Sequence, residues 1–397
     1  MVVGIVAEYN PFHNGHKLQI DYAKSVLGAK QVLVAMSGSF TQRGEIACFD
    51  KYTRAKAALV NGVDIVFEIP TIFATSSARE FSSAGVQLLA CTGVVDTLLF
   101  SAECDDKDLF IESAQKLVDL EKSGQLDSEI NYYISNGLSY ATARAKALKA
   151  FLPEEIISSP NNILGVEYCR YIISNNLKMN IEIMKRQGNG YNDLSLSGEL
   201  SSASSIREHY KLSHSFDAVP EAALDIYSNE TFMYDNDVSP MLHYKLLTTD
   251  SFASYLDCSS DLSDRIKNNI KDFVNYKQFC EKLKTKNIEY SRISRVLCHI
   301  LLGITSDDFK QAKENGYINY LRMLGFSKNG SSLLAAIKEN NNVPLLTSPK
   351  ADLVSEFDII SSNIYQAILT SKTGTGFPNE YTRKFTLNNI NNSNKQA

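Results

Sequence analysis

The sequence predicts an α/β fold: a mainly parallel sheet covered on both faces by helices, leading into a mainly α-helical C-terminal half. Three observations predict it. Short apolar runs of strand length alternate with helix-length amphipathic segments through the first half of the chain, the pattern of parallel strands buried on both faces and joined by right-handed crossovers. The first of these runs ends directly in Asn10-Pro11-Phe12-His13-Asn14-Gly15-His16, and the carboxyl end of a strand is where open α/β sheets take ligands. Strand signals then fade beyond a boundary placed at 210–225, where helical segments rich in Tyr and Lys take over.

Taken in order, Val2 to Ala7 is β-rich and Gly15 to Leu27 has a helical pattern. Gln31 to Met36 reads as a buried strand stopped by Ser37-Gly38-Ser39. Asp50 to Val60 is helical with Asp50 as N-cap, because its carboxylate can accept an orphan backbone N–H. Asp64 to Ile69 is a third strand closed by Pro70, Ser76 to Ala90 a third helix and Val94 to Phe100 a fourth strand. Residues 105–150 are polar and helical, an insertion or covering layer. Ser159-Pro160-Asn161-Asn162 starts a helix to Ile173, Met179 to Met184 is a fifth strand, and a serine-rich turn from Ser201 opens a helix to Tyr210. The expected domains are therefore 1–215, with the 105–150 insertion, and a helical 216–386, followed by a flexible Asn-rich tail at 387–397.

Bulk properties bound the function. A chain of 397 residues with 44% hydrophobic content can build more than one core. Its 7 cysteines contain no CxxC pair and no zinc-type spacing, so they read as reduced thiols. The chain enters its first strand without a basic-then-apolar leader, and no apolar run approaches the ~20 residues needed to span a bilayer. A cytoplasmic protein with no membrane partner is expected. The net charge of −5 excludes a generally basic nucleic-acid coat but leaves room for a local basic surface.

The chemistry concentrates at His13 and His16. Attack on the α-phosphate of a nucleoside triphosphate develops negative charge at phosphorus, and catalysis there is positioning plus electrostatic stabilisation. Two imidazoles a helical turn apart can face one ligand, Gly15 allows close approach of the ligand to the backbone, and a helix N-terminus favours phosphate. His13 and His16 are thus the candidate catalytic pair for nucleotidyl transfer. Arg186, just past the fifth strand, suits phosphate because its fork binds oxygens bidentately. Arg43 follows the second strand and could face phosphate or a substrate carboxylate, or sit in a surface ion pair. Asn161 can offer its amide to ribose or base, or serve as a helix cap, with Asn162 the competing choice. Asp193 is a loop carboxylate that could orient a partner. No metal ligands are identified.

His13-Asn14-Gly15-His16 resembles the HxGH signature of the nucleotidyltransferases related to class I aminoacyl-tRNA synthetases. An ordered set of further blocks resembles the bacterial tRNA(Met) cytidine acetate ligase family: Ala7 to His16, Met36-Ser37-Gly38-Ser39-Phe40-Thr41-Gln42-Arg43-Gly44-Glu45, Thr53-Arg54-Ala55-Lys56, and Ser159 to Gly165. The likeness continues through Lys185-Arg186, Tyr191-Asn192-Asp193, Ser291 to Arg295 and Leu301 to Ile304. The resemblance implies a Rossmann-like catalytic domain with Val6, Ala7, Glu8, Tyr9, Asn10, Pro11, Phe12, His13, Asn14, Gly15, His16, Lys17, Leu18 and Gln19 at the ATP site. It adds Ser101, standing where the family's fourth strand carries glycine, with Asn161, Arg186, Ser204 and Arg207, the last two from a segment like the second superfamily signature. Ser37, Gly38 and Arg43 are the implied substrate contacts.

In the helical half, Arg265, Lys267, Lys271, Lys277, Lys282, Lys284, Lys286, Arg292 and Arg295 outnumber the acids around them, with Tyr276 and Tyr290 interleaved as stacking candidates. From these, Lys282, Lys284, Lys286, Arg292 and Arg295 are the candidate RNA contacts. The resemblance implies elongator tRNA(Met), acetate and ATP as partners, Mg2+ accompanying the triphosphate, no tightly bound cofactor and no DNA. It implies acetyl-adenylate formation followed by N4-acetylation of the wobble cytidine. Two alternatives stay open: an adenylyltransferase for a small metabolite, and a non-catalytic, ATP-occupied RNA-binding protein.

Overall fold

The computed structural model describes residues 1–136, 138, 140–186, 200–376 and 378–388. The first half alternates as expected: β1 (Val2–Ala7), α1 (Asn14–Ser25), β2 (Gln31–Ser37), α2 (Lys51–Val60), β3 (Ile65–Ile69), a single turn α3 (Thr71–Ala74), α4 (Ala78–Cys91) and β4 (Thr97–Ala102). The helix expected at Ser76–Ala90 thus begins two residues later and is preceded by a separate turn started by Pro70. The polar segment forms α5 (Lys107–Lys122), α6 (Gln125–Ser135), α7 (Tyr140–Phe151) and α8 (Glu154–Ile157), followed by α9 (Pro160–Ser174), β5 (Asn180–Lys185) and α10 (Ala203–Ser213). Asp50 caps α2 by accepting from Tyr52 N, as its position predicts.

The first five strands lie in the order β5-β4-β1-β2-β3, each pair parallel. The order reverses at β1/β4, and the carboxyl ends of those strands flank the switch point where such sheets bind ligands. Successive residues of β2 enter opposite cores. Val32, Val34 and Met36 pack under α1 and α2 with Ile20, Ala23, Ala55 and Leu59. Leu33 and Ala35 face the other way, toward Phe81, Ala84, Leu88 and Leu89 of α4. Each of the Val, Leu, Ile, Phe and Met side chains among these contributes roughly 1.5–3 kcal/mol by burial.

The C-terminal half is mainly helical: α11 (Glu221–Tyr227), α12 (Ser239–Leu247), α13 (Ser260–Asn269), α14 (Tyr276–Leu283), α15 (Tyr290–Leu302), α16 (Ser306–Glu314), α17 (Gly330–Asn340) and α18 (Glu356–Thr373). It also returns three strands to the same sheet, which the expected mainly helical 216–386 did not include. β6 (Leu321–Ser327) pairs antiparallel with β3, and β7 (Leu345–Leu346) and β8 (Thr386–Asn388) flank β6. The one charged residue of β6, Arg322, is buried in a charge box. Arg322 and Lys51 are both about 1% exposed and sit between Glu68 and Glu380. Lys51 pairs with Glu68 at 2.9 Å and Glu380 at 3.0 Å, and Arg322 with Glu68 at 3.0 Å and with Glu380. Two acids balance two bases, so the buried charge is compensated. The expected tail starts too early: Leu387 pairs with Phe326 in β8, and Asn388 is buried and donates to Leu59 O at 3.1 Å. The remainder, 389–397, lies outside the described residues.

Candidate active site

A cavity of about 520 Å³ opens at the carboxyl ends of β1 and β4, within the ~300–1,000 Å³ range of small-molecule sites. Its floor is Val6 to Asn10, the end of β1 and the residues after it, with Phe100, Ser101 and Met184 from β4 and β5. The start of α1 and the start of α10 form two walls. Gln42, Arg43 and Glu45, from the loop after β2, close one end together with Glu289, Ser291 and Arg295 at the start of α15.

The two histidines form a reciprocal cap. His13 is the N-cap of α1, and its Nδ1 accepts from Gly15 N at 3.1 Å; His16 Nδ1 accepts from His13 N at 3.3 Å. Their rings stack, centroids 3.7 Å apart, and Tyr9 meets His16 edge-on at 4.7 Å. Gly15 is required by this cap: a Cβ there would lie 2.9 Å from His13 Cε1. Burial, with the nearby Arg186 and Arg207 charges, lowers the His13 pKa to about 3. Burial, His13 and Arg186 hold His16 well below its usual value. Both imidazoles are therefore neutral. With each Nδ1 accepting a backbone N–H, each proton resides on Nε2. The pair is two neutral N–H donors.

Around them lie two arginines. Arg207 on α10 donates to Asn10 O at 2.7 Å and pairs with Glu45 at 3.3 Å. Burial opposes its charge, but Glu45 and Asp235 outweigh burial and raise its pKa. Burial raises Glu45 against the pull of Arg207. Beside Arg207, α10 starts at the cavity with Ser201, Ser202 and Ser204 on its lining. Ser202 caps the helix, while the Ser201 hydroxyl is buried without a hydrogen-bond partner among the described residues. A helix N-terminus with an unspent hydroxyl and an arginine is an anion site.

On the β4 side, Glu103 accepts from Asn161 Nδ2 at 2.8 Å, pairs with Arg186 Nε at 3.4 Å, and accepts from Ser159. Asn161 lines the cavity, whereas Asn162 is 1% exposed and bonds Glu103 N at 2.9 Å and Glu155 O at 2.6 Å. The choice between the two amides therefore falls to Asn161. The cap itself is Ser159. Behind the floor, Arg54 is 0% exposed and donates only to carbonyls: Phe49 O at 3.0 Å, Glu8 O at 2.5 Å, Ser37 O at 3.2 Å, and Gly38 O. It fixes the ends of β1 and β2 against each other. Tyr9 takes a left-handed backbone, φ 50°, and its buried hydroxyl has no hydrogen-bond partner among the described residues.

Of the expected ATP contacts, Val6, Ala7, Glu8, Tyr9, Asn10, His13, Gly15, His16, Leu18, Gln19, Ser101, Asn161, Arg186, Ser204 and Arg207 line the cavity. Pro11, Phe12, Asn14 and Lys17 do not: Phe12 is 0% exposed in the core, and Lys17 pairs with Asp21 on α1. Arg43 lines the cavity, but Ser37 and Gly38 lie behind it. Ser37 is 0% exposed, and a Cβ on Gly38 would strike Glu68 at 2.3 Å. Of the basic candidates, Lys282, Lys284 and Lys286 are exposed and Arg295 turns inward. Arg292 donates to Asp257 O at 3.0 Å. Tyr276 is 2% exposed and spends its hydroxyl on Gly44 O at 3.0 Å, so it cannot stack on a base. Arg265 instead bonds Leu283 O at 2.7 Å and Lys282 O at 3.1 Å, satisfying the end of α14. Asp193 and Tyr191 lie outside the described residues. Sequence reasoning missed Glu45, Glu103, Arg54 and Ser201. Each lay in a segment that carried a signal: Glu45 in the Met36–Glu45 block, Arg54 in Thr53–Lys56, Ser201 at the serine-rich turn and Glu103 at the Phe-Ser-Ala-Glu end of β4.

A family model for HIGH nucleotidyl transferases matches residues 1–377. A Clostridium kluyveri tRNA(Met) cytidine acetate ligase is 36% identical over 389 residues, covering 92% of this chain and 95% of that one. A Thermosipho melanesiensis protein of the same name is 35% identical over 362 residues, covering 88% and 84%. The fold matches Thermotoga maritima TmcAL with a TM-score of 0.89 at 27% identity, covering 98% of this chain and 100% of that one. A form of that protein bound with alpha-thio ATP matches with a TM-score of 0.87.

Proposed function

This chain belongs to the HIGH nucleotidyl transferases, and within them to the tRNA(Met) cytidine acetate ligases, and on that premise we propose that it uses ATP and acetate to acetylate the wobble cytidine of elongator tRNA(Met). The observation that carries the chemistry is the stacked His13–His16 pair, two neutral Nε2–H donors beside Arg186, Arg207 and the start of α10.

The first step needs no general base, because acetate is ionised at neutral pH. A carboxylate oxygen bonds to the α-phosphorus, the bond to the bridging oxygen breaks, and pyrophosphate leaves. His13 and His16 donate to phosphate oxygens where charge grows, and Arg186, Arg207 and the Ser201–Ser204 helix start hold the triphosphate. Adenosine lies toward Ser101 and Asn161. MgATP enters as the substrate. In the second step the cytidine N4 lone pair attacks the acetyl carbon. The carbon–oxygen bond to the phosphate breaks, AMP leaves, and the N4 proton passes to water. An exocyclic amine conjugated with its ring is a weak nucleophile, so an activated acyl donor held in place is what the reaction requires.

In this account 1–215 carries the ATP chemistry and 216–386 the RNA, with Lys282, Lys284 and Lys286 offering charge to tRNA phosphates. The cell compartment is the cytoplasm, where tRNA is available. ATP–pyrophosphate exchange tests the reading. Exchange that depends on acetate supports it. Exchange that depends instead on a phosphomonoester favours an adenylyltransferase for a small metabolite, and no exchange with any acid favours an ATP-occupied RNA binder.

A further inference from the structure

The end of the cavity farthest from β4 and β5 is built by both halves of the chain. Gly44 has φ 75°, and a Cβ there would lie 2.7 Å from Arg295 Cα, so the loop after β2 rests directly on the backbone of α15. Ser294 Oγ donates to Arg43 O at 2.5 Å, and Tyr276 Oη donates to Gly44 O at 3.0 Å. Behind this seam α15 presents Glu289, Ser291 and Arg295 to the cavity. Arg295 Nε is buried and has no hydrogen-bond partner among the described residues, with the Asp257 carboxylate at 3.6 Å, too far for a hydrogen bond.

The charge pattern decides what this wall takes. At Arg186 and Arg207, each also paired with an acid (Glu103 and Glu45), the two imidazole donors and the start of α10 add the further donors an anion needs. At Arg295 burial lowers the pKa and the Arg292 charge adds to it, while Asp257 and Glu289 oppose them. A cation beside an acceptor suits a neutral ligand with acceptors and a donor on one edge. Cytosine has that edge: O2 and N3 accept, and the N4 amine donates. Uracil reverses two of the three groups, with N3–H a donor and O4 an acceptor. Enzymes that modify a base draw it out of its stack into such a pocket.

We propose that the start of α15 is the base-reading wall of the site, with Arg295 donating to O2 and N3 of the wobble cytosine and Glu289 accepting from its N4–H. This rests on the proposed tRNA cytidine reaction and assigns the choice of base to a pair of residues. In that pose the N4 lone pair, perpendicular to the ring, stays free to attack the acetyl group. The in-plane N–H bond to Glu289 fixes where the amine sits.

Two measurements on full-length Arg295→Met test it. The first is the affinity of elongator tRNA(Met) transcripts carrying cytidine or uridine at the wobble position, measured without acetate. A bidentate base contact discriminates by roughly 5- to 150-fold, so the unsubstituted protein prefers cytidine by about 10-fold or more and the variant by less than about 2-fold. The second is acetyl transfer relative to acetate-dependent ATP–pyrophosphate exchange on the same preparation, expected to fall at least about 10-fold. Glu289→Ala, a truncation at an exposed position, shifts both readouts the same way and removes dependence on the folding of the arginine variant. Unchanged base preference in both variants, or transfer and exchange falling in parallel, overturns the proposal. Loss of acetate-dependent exchange in the unsubstituted protein overturns the proposed reaction instead, and leaves the base-preference measurement standing.

Discussion

His16→Ala isolates the step on which the chemistry depends. The substitution removes one Nε2–H donor from the cavity, the donor that in the proposed reaction serves the α-phosphate. Loss of a single donor to developing charge in a water-poor site costs about 2.7–4 kcal/mol, or ~10²–10³ in rate. Its structural cost is separate and small. His16 is half-buried, and the bond it accepts from His13 N is long at 3.3 Å, so the low end of the range for cap loss applies, about 0.5–1 kcal/mol. The helix start keeps its other cap bond, from Gly15 N to His13. The two costs are read separately: acetate-dependent ATP–pyrophosphate exchange reports the first, and urea unfolding followed by circular dichroism reports the second. Exchange should fall at least about 100-fold while tRNA affinity is kept, and His16→Asn, which retains an acceptor for the cap and an N–H to offer, should recover about 10-fold of it. Exchange within about 10-fold of the unsubstituted enzyme in His16→Ala would refute the donor role.

Both site histidines are neutral, so exchange should be flat from about pH 6 to 8.5; an acid limb centred near the ordinary histidine value of ~6.5 would contradict neutral donors. Stability behaves differently. The unfolded chain protonates His13 near pH 6.5 and the folded chain only near 3, so below 6.5 the unfolded state binds more protons and stability is lost as pH falls. Between pH 7.5 and 5.5 this amounts to about 1.4 kcal/mol for His13, and urea unfolding of His13→Asn should show a pH dependence shallower by that amount; an identical slope would count against it. Arg54→Met strands three carbonyls at the ends of β1 and β2 and that of Phe49 before α2, and should destabilise by at least about 3 kcal/mol in urea unfolding, with a loss below 1 kcal/mol excluding its clamp role. Glu103→Ala releases Asn161 and Arg186 and should raise the KM for ATP about 10-fold in exchange with little change in kcat; an unchanged KM would leave Glu103 without a positioning role. Neutralising Lys282, Lys284 and Lys286 together should weaken tRNA binding and reduce the salt slope by up to about 2. Lys282 and Lys284 already face Asp272 at 3.0 Å and Glu281 at 3.6 Å, so unchanged affinity at low salt would remove the patch from the interface.

Local signals were legible and distant pairings were not. β1 ends where its apolar run ends, and β2 extends one residue beyond the expected strand, because burial on both faces writes each strand as a continuous hydrophobic segment. The histidine pair could be read from four consecutive residues, although the reason for Gly15 could not: the His13 ring occupies the space of its missing side chain. β6 was invisible because its partner lies some 260 residues earlier and its Arg322 looks like surface until Glu68 and Glu380 are placed around it. Arg295 reads as one of a run of basic residues, and only the packing of α15 on Gly44 turns it inward. Tyr276 reads as a stacking residue for the same reason and is a buried strut. Charged and polar side chains carry little pattern of their own. Where they point is set by tertiary contacts that no local window contains.

The most direct test of the central claim is nucleoside mass analysis of elongator tRNA(Met) incubated with the protein, ATP and isotopically labelled acetate. The account predicts one labelled acetyl group on the wobble cytidine, dependent on ATP and absent with His16→Ala. Unmodified tRNA, in a reaction where the protein binds both ATP and the tRNA, would contradict it.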